Sequence, residues 1–290
     1  MSLNWETVLG GSGRPRYLIC DDELVSNRSF EANMYGWGSS PLSGSVSREL
    51  DTATFYGDYS LKIEDVGAQV SRSRARFTIS LASVLQSRSF ALSFHVRGAV
   101  ASCLCGAQLK CLDYEPAIQT KALTTNCKHF FGIFEFGTSE ETSMYLDIYA
   151  VVGSCYANTI NVDNVSCREI LYDLYDEFPY NPNNMQPDWS PEILSSGRLV
   201  DGSLREYERG WDPRFMIEYD YLDATAEYYR RLLSEAKFIW LQPHYDYSLY
   251  VAVKWDRAWS QRYFGNVYAG HIGRMVFKSL FLLESKPLDV

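Results

Sequence analysis

Ala75-Arg-Phe-Thr-Ile-Ser80 alternates apolar and polar side chains. A period of two belongs to a β-strand with one face buried and the other solvated. The alternation runs back through Ser71-Arg-Ser-Arg-Ala-Arg76, so Arg72, Arg74 and Arg76 share the solvated face. Outward from this stretch the same kind of run recurs. Ser60-Leu-Lys-Ile-Glu64, Phe90-Ala-Leu-Ser-Phe-His-Val96 and Ser102-Cys-Leu-Cys105 lie on either side of it. Phe130-Phe-Gly-Ile-Phe-Glu-Phe136, Met144-Tyr-Leu-Asp-Ile-Tyr-Ala-Val151 and Thr159-Ile-Asn-Val-Asp-Asn-Val165 follow. Turn residues separate them, and no helical spacing intervenes. About eight to ten short strands at such intervals predict a β-sandwich of jelly-roll type.

The pattern changes after residue 170. Glu177 to Pro191 holds four prolines in fifteen residues and reads as a connection. Gly197–Tyr207 and Arg214–Tyr221 read as strands around Gly210-Trp211. Tyr229, Leu232, Leu233 and Ala236 then have the i, i+3, i+4, i+7 spacing of a helix, with Asp223 as its cap. Tyr247–Lys254 and Arg274–Leu283 read as further strands. The predicted organisation is an arm at 1–16, a jelly roll at 17–170, a connection at 171–196 and a small α+β domain at 197–290. That domain carries one helix on an antiparallel sheet, and the chain as a whole is mainly β.

Net charge −9 argues against nucleic acid and anionic membrane as partners. No apolar window is long enough for a membrane-spanning helix, and Met1-Ser-Leu-Asn-Trp-Glu6 has no leader character. The seven cysteines contain no CxxC and read as buried thiols of a reducing compartment. The four histidines, His95, His129, His244 and His271, have no metal-ligand spacing. There is no GxSxG, GxGxxG or phosphate loop, so no enzyme is expected. Aromatics reach 15%, with 21 Tyr, which suits both interfaces and sugar platforms.

Three motifs in order carry a resemblance. Asn27-Arg-Ser-Phe-Glu31, Tyr56-Gly-Asp-Tyr-Ser-Leu-Lys-Ile63 and Ile160-Asn-Val-Asp-Asn-Val165 resemble elements of the β-jelly-roll carbohydrate-binding modules attached to glycosidases. The resemblance implies that Glu31 and Asp163 lie together and hold a structural Ca²⁺; a hydrogen-bonded acid pair without metal is the alternative. It also makes Tyr35, Trp37, Tyr56 and Tyr59 candidate sugar-stacking residues, with packing inside the sandwich as the other role for Trp37.

The C-terminal pattern, with Leu204-Arg-Glu-Tyr207, Arg214-Phe-Met-Ile-Glu-Tyr219 and the helix before Phe238-Ile-Trp-Leu241, is similar to tail and baseplate proteins of bacteriophages. That likeness implies a structural virion component of a tail, baseplate or neck, assembled in the host cytoplasm. Its partners would be copies of itself, other virion proteins and a host-surface glycan. Trp211, Trp240, Trp255, Trp259, Tyr263 and Phe264 are the candidate docking aromatics. A free carbohydrate-binding accessory protein is the competing expectation.

Overall fold

The computed structural model describes residues 14–39, 44–50, 57–65, 73–100, 103–125, 127–151, 158–175, 182, 184–198, 204–222, 224–243, 250–256, 261–263 and 271–279. The chain is mainly β, with antiparallel sheets and a single helix among the described residues. It divides into two units. One is Asp22–Ile170; the other combines Met1–Asp21 with Leu171–Val290. Strand β1 (Arg16–Cys20) belongs to the second of these.

The first unit is a β-sandwich jelly roll built from β2 (Trp37–Ser39), β3 (Gly44–Leu50), β4 (Tyr59–Asp65), β5 (Ser73–Ser80), β6 (Arg88–Gly98), β7 (Leu104–Lys110), β8 (Gln119–Ala122), β9 (Lys128–Phe136), β10 (Ser143–Val151) and β11 (Asn158–Asp173), the last three residues of β11 being assigned to the other unit. One sheet runs β3-β4-β11-β6-β9. The other runs β2-β5-β10-β7-β8. The alternation read from the sequence gives the core. Leu61, Ile63, Phe90, Leu92, Phe94, Phe130, Phe134 and Val162 point inward from the first sheet. Ala75, Phe77, Ile79, Leu109, Met144, Leu146 and Ile148 meet them from the second. Each large side chain buried in this way contributes roughly 1.5–3 kcal/mol.

The Val-Asp-Asn-Val sequence of β11 departs from simple alternation, and the fold explains it. The register against β6 slips between Asp163 and Ser166, and Asn164 takes a left-handed φ of 49°. This bulge absorbs one residue, so Val162 and Val165 both reach the core.

The second unit adds β12 (Asn184–Arg198), β13 (Leu204–Leu222), α1 (Ala224–Glu235), β14 (Phe238–Gln242), β15 (Val251–Trp255), β16 (Gln261–Tyr263) and β17 (His271–Ser279). Its sheet order is β12-β13-β17-β15-β14-β1, with β16 on β17. Ala226 and Leu233 of α1 join Tyr17, Phe215, Ile217, Ile239, Leu241, Val253 and Met275 in a second core.

Two sequence expectations change here. Residues 17–20 leave the jelly roll: β1 pairs with β14 from Arg16↔Gln242 to Cys20↔Phe238. Part of the proline-rich connection is a strand, with Pro187 opposite Phe215 and Pro191 opposite Trp211. β12 ends the sheet, and an edge strand tolerates residues without an amide hydrogen. Gly210 and Trp211 consequently lie inside β13 rather than at a turn, beside a register slip at Glu192/Ile193.

Candidate functional site

The five-stranded sheet of the jelly roll has a polar outer face. On β10 the residues between the core side chains Met144, Leu146, Ile148 and Ala150 are Tyr145, Asp147 and Tyr149. The register places Asp147 opposite Arg76 of β5 and Gln108 of β7. Arg76 grips the carboxylate with two hydrogen bonds, Nε to Oδ1 at 2.6 Å and Nη2 to Oδ2 at 2.7 Å. Arg74 donates Nη1 to Oδ2 at 3.2 Å, and the Tyr149 hydroxyl donates to Oδ2 at 3.2 Å. The same hydroxyl reaches Gln108 Oε1 at 2.8 Å. Lys110 Nζ stands 3.9 Å from Asp147 and bonds Glu115 at 2.7 Å. Gln108 Nε2 donates to the Pro116 carbonyl, which ties the loop after β7 to this face.

Asp147 is fully buried, although it lies on the face turned away from the hydrophobic core. Two guanidinium groups and a hydroxyl take the place of the water that its carboxylate has lost. The hydrogen bond to Asp147 holds the Arg76 guanidinium above its ordinary range. Burial, then the Asp147 charge, pushes the Tyr149 hydroxyl up to about 12. The Arg76 guanidinium also lies over the half-buried Tyr145 ring, 4.5 Å from its centroid. Thr78, Ser80 and Thr120 remain exposed around this array. The face therefore holds fixed donors, fixed acceptors and an aromatic ring, a set suited to a polyhydroxylated ligand.

The aromatics singled out from sequence lie elsewhere. Trp37 is core: it is 6% exposed, packs against Phe30 and Phe77 at 5.5 and 5.3 Å, and donates its indole N–H to the Asn27 carbonyl. Tyr59 lies under the Arg48 guanidinium, and Tyr35 is exposed. Tyr56 lies outside the described residues. In the second unit Trp240 is buried against Phe238, and Trp255 is half-buried beside Arg230. Trp211 stands on β13 and Tyr263 on β16, whereas Trp259 and Phe264 lie outside the described residues.

The residues proposed for calcium have other partners. The Glu31 carboxylate accepts the backbone N–H groups of Asp58 at 3.2 Å and Tyr59 at 3.1 Å. The carbonyls of Phe30 and Glu31 accept from Arg48. Asp163 Oδ1 accepts the Asn164 amide at 2.7 Å, within the β11 bulge. Among the described residues, no group of three or more His, Cys, Asp or Glu side chains is arranged to hold a metal ion. The residues present do not fit a calcium ion at this place.

Asp163 lies opposite His95, which in turn lies opposite His129, with the two imidazoles 5.1 Å apart. Burial lowers His95 to about 4 and His129 to about 3, so both are neutral at pH 7. No disulfide joins any two of the six described cysteines.

The arginine run alternates like any solvated strand face, so the polar array is not visible in the sequence. The available signal was Tyr145-x-Asp147-x-Tyr149, a carboxylate centred between two tyrosines on the non-core side of a strand. The partner strand was not legible.

No family model matches the chain, and no curated protein matches it. Solved structures do. A family 61 carbohydrate-binding module in complex with β-1,4-galactotriose aligns at 10% identity and a TM-score of 0.38, over 51% of this chain and 98% of that one. The xylan-binding CBM22-1 domain of Paenibacillus barcinonensis Xyn10C aligns at 14% and 0.41, over 51% and 95%. The enzymatically active domain of tailspike protein 4 of bacteriophage CBA120 aligns at 15% and 0.38, over 51% of this chain and 21% of that one. A phage-tail identity does not follow from the last.

Proposed function

We propose that the jelly-roll unit binds a glycan on the outer face of its five-stranded sheet, without a catalytic step. One observation carries this reading: a fully buried carboxylate clamps two arginines beside a tyrosine ring on the non-core side of the sheet. A sheet does not need such a network for stability, because apolar residues of the same volume stabilise as well or better. A rigid array of planar donors and acceptors does match ring hydroxyls, and the tyrosine offers an apolar face. The three sequence motifs that resemble carbohydrate-binding modules support the same reading.

The test is a glycan array probed with the full chain, followed by titration calorimetry on any hit. Binding should weaken at least tenfold in Tyr145→Ala, and the bound glycan should be recovered uncleaved. An array without retention, or a Tyr145→Ala protein that binds like the wild type, overturns the assignment.

The wider setting is a phage particle, in which the second unit docks into the assembly and the jelly roll serves adhesion. Its support is the C-terminal strand and helix pattern, together with the insertion of residues 22–170 into the other unit. An inserted module can vary for recognition while its host unit keeps an assembly role. Particles from the source should contain this chain in symmetric copies by cryo-electron microscopy. A monomer absent from every particle sinks the virion setting and favours a free carbohydrate-binding accessory protein.

A further inference from the structure

We infer that Arg48 acts as the structural cation of the jelly roll, so that the unit closes its opening loop without a bound divalent metal. The loop Asn27–Glu31 turns sharply at Phe30, whose φ is 57° and whose ring is fully buried against Trp37. This turn leaves the carbonyls of Phe30 and Glu31 facing β3. There Arg48 Nε donates to Phe30 O at 2.6 Å, and Nη2 donates to Glu31 O. The guanidinium carbon lies 3.2 Å from the Tyr59 ring centroid, so the cation is stacked as well as hydrogen bonded.

The carboxylate of Glu31 faces the other way, onto the amides of Asp58 and Tyr59. Gly57, with φ of 79°, makes room for it; a Cβ there would collide with that carboxylate. One arginine and one glutamate thus tie the loop to β3 and to the start of β4. A calcium ion needs six to eight oxygen ligands. Here two carbonyls already serve a guanidinium, and the carboxylate already serves two amides. A guanidinium keeps its charge at any pH the protein survives, and no chelator removes it.

The experiment uses the full chain. Thermal unfolding is recorded with EDTA, with millimolar CaCl₂ and with neither, for wild type, Arg48→Met and Arg48→Lys. The wild-type midpoint should be the same in all three buffers. Arg48→Met keeps the stem but loses charge and donors, and its midpoint should fall by about 3–6 °C. Arg48→Lys should fall in part, because an ammonium keeps the charge but loses the planar pair of bonds. A wild-type midpoint that rises with calcium or falls with EDTA overturns the inference. So does an Arg48→Met midpoint equal to wild type. If Arg48→Met does not fold, the Arg48→Lys midpoint and the wild-type buffer comparison still decide. None of these outcomes depends on glycan binding.

Discussion

Replacing Asp147 by Asn tests whether the polar array is a coupled unit. The asparagine keeps the shape of the side chain but removes its charge and turns an acceptor into a donor. Four hydrogen bonds then lose their ionic acceptor: two from Arg76, one from Arg74 and one from Tyr149. Breaking a buried ion pair from one side costs about 3–5 kcal/mol. The arginine side chains keep 18% and 27% of their exposure and can turn toward water, so the low end, about 3 kcal/mol, applies.

A chain of two units need not unfold in one step. Hydrogen exchange of peptides covering residues 143–151 therefore reads the effect locally. A loss of about 3 kcal/mol accelerates exchange of the β10 amides by about 100-fold. Acceleration of less than about threefold would refute the reasoning, since it would mean that the charge contributes under about 0.7 kcal/mol. The triple variant Arg74→Leu, Arg76→Leu, Asp147→Leu removes the buried carboxylate together with both guanidinium groups that hold it. Its protection should return close to wild type while glycan retention disappears.

Three further outcomes are expected. The imidazoles of His95 and His129 titrate at about 4 and about 3 when folded, below the ordinary value of 6.5, so their stabilising contribution is complete above pH 6.5 and is lost as pH falls toward 4. Urea midpoints should fall between pH 7 and 4.5, and a His95→Gln, His129→Gln protein should show a shallower fall; parallel curves count against the pair. Gly57→Ala should cost about 2–4 kcal/mol, from left-handed strain and displacement of the Glu31 carboxylate, measured as a urea midpoint. Trp37→Ala should cost about 3–5 kcal/mol as a core deletion yet leave glycan affinity unchanged at 10 °C, where the protein stays folded; lost affinity in folded protein would restore Trp37 to the site.

The alternation in Ala75–Ser80 and its sister runs was sufficient for the sandwich, because side-chain period is set by local chain geometry. The helix was legible for the same reason, and α1 lies where Leu232 and Leu233 placed it. Long-range pairing was not. Nothing local in Tyr17-Leu-Ile-Cys20 says that it pairs with residues 238–241 rather than with the strands next in sequence. Prolines argued for a linker at Pro187 and Pro191, yet the edge position of β12 removes their penalty. The site failed in the same way. Arg76 and Asp147 look like ordinary surface charges until the register sets them opposite each other. Trp37 had two readings, sugar platform or packing inside the sandwich, and its indole takes the second.

The pairing of β1 with β14 also has a temporal side. Cys20 leaves the ribosome about 220 residues before its partner Phe238, a delay on the order of 10–40 s at ordinary elongation rates. For about the last third of that delay the sandwich that follows it already has every strand it needs, whereas β1 still lacks β14 and has only the Leu174 amide on its Tyr17 carbonyl. In that interval the growing chain carries a finished module behind a strand that still lacks β14. Nascent chains stopped between residues 174 and 238 should be ones that chaperones hold through Tyr17–Cys20 and not through the completed jelly roll.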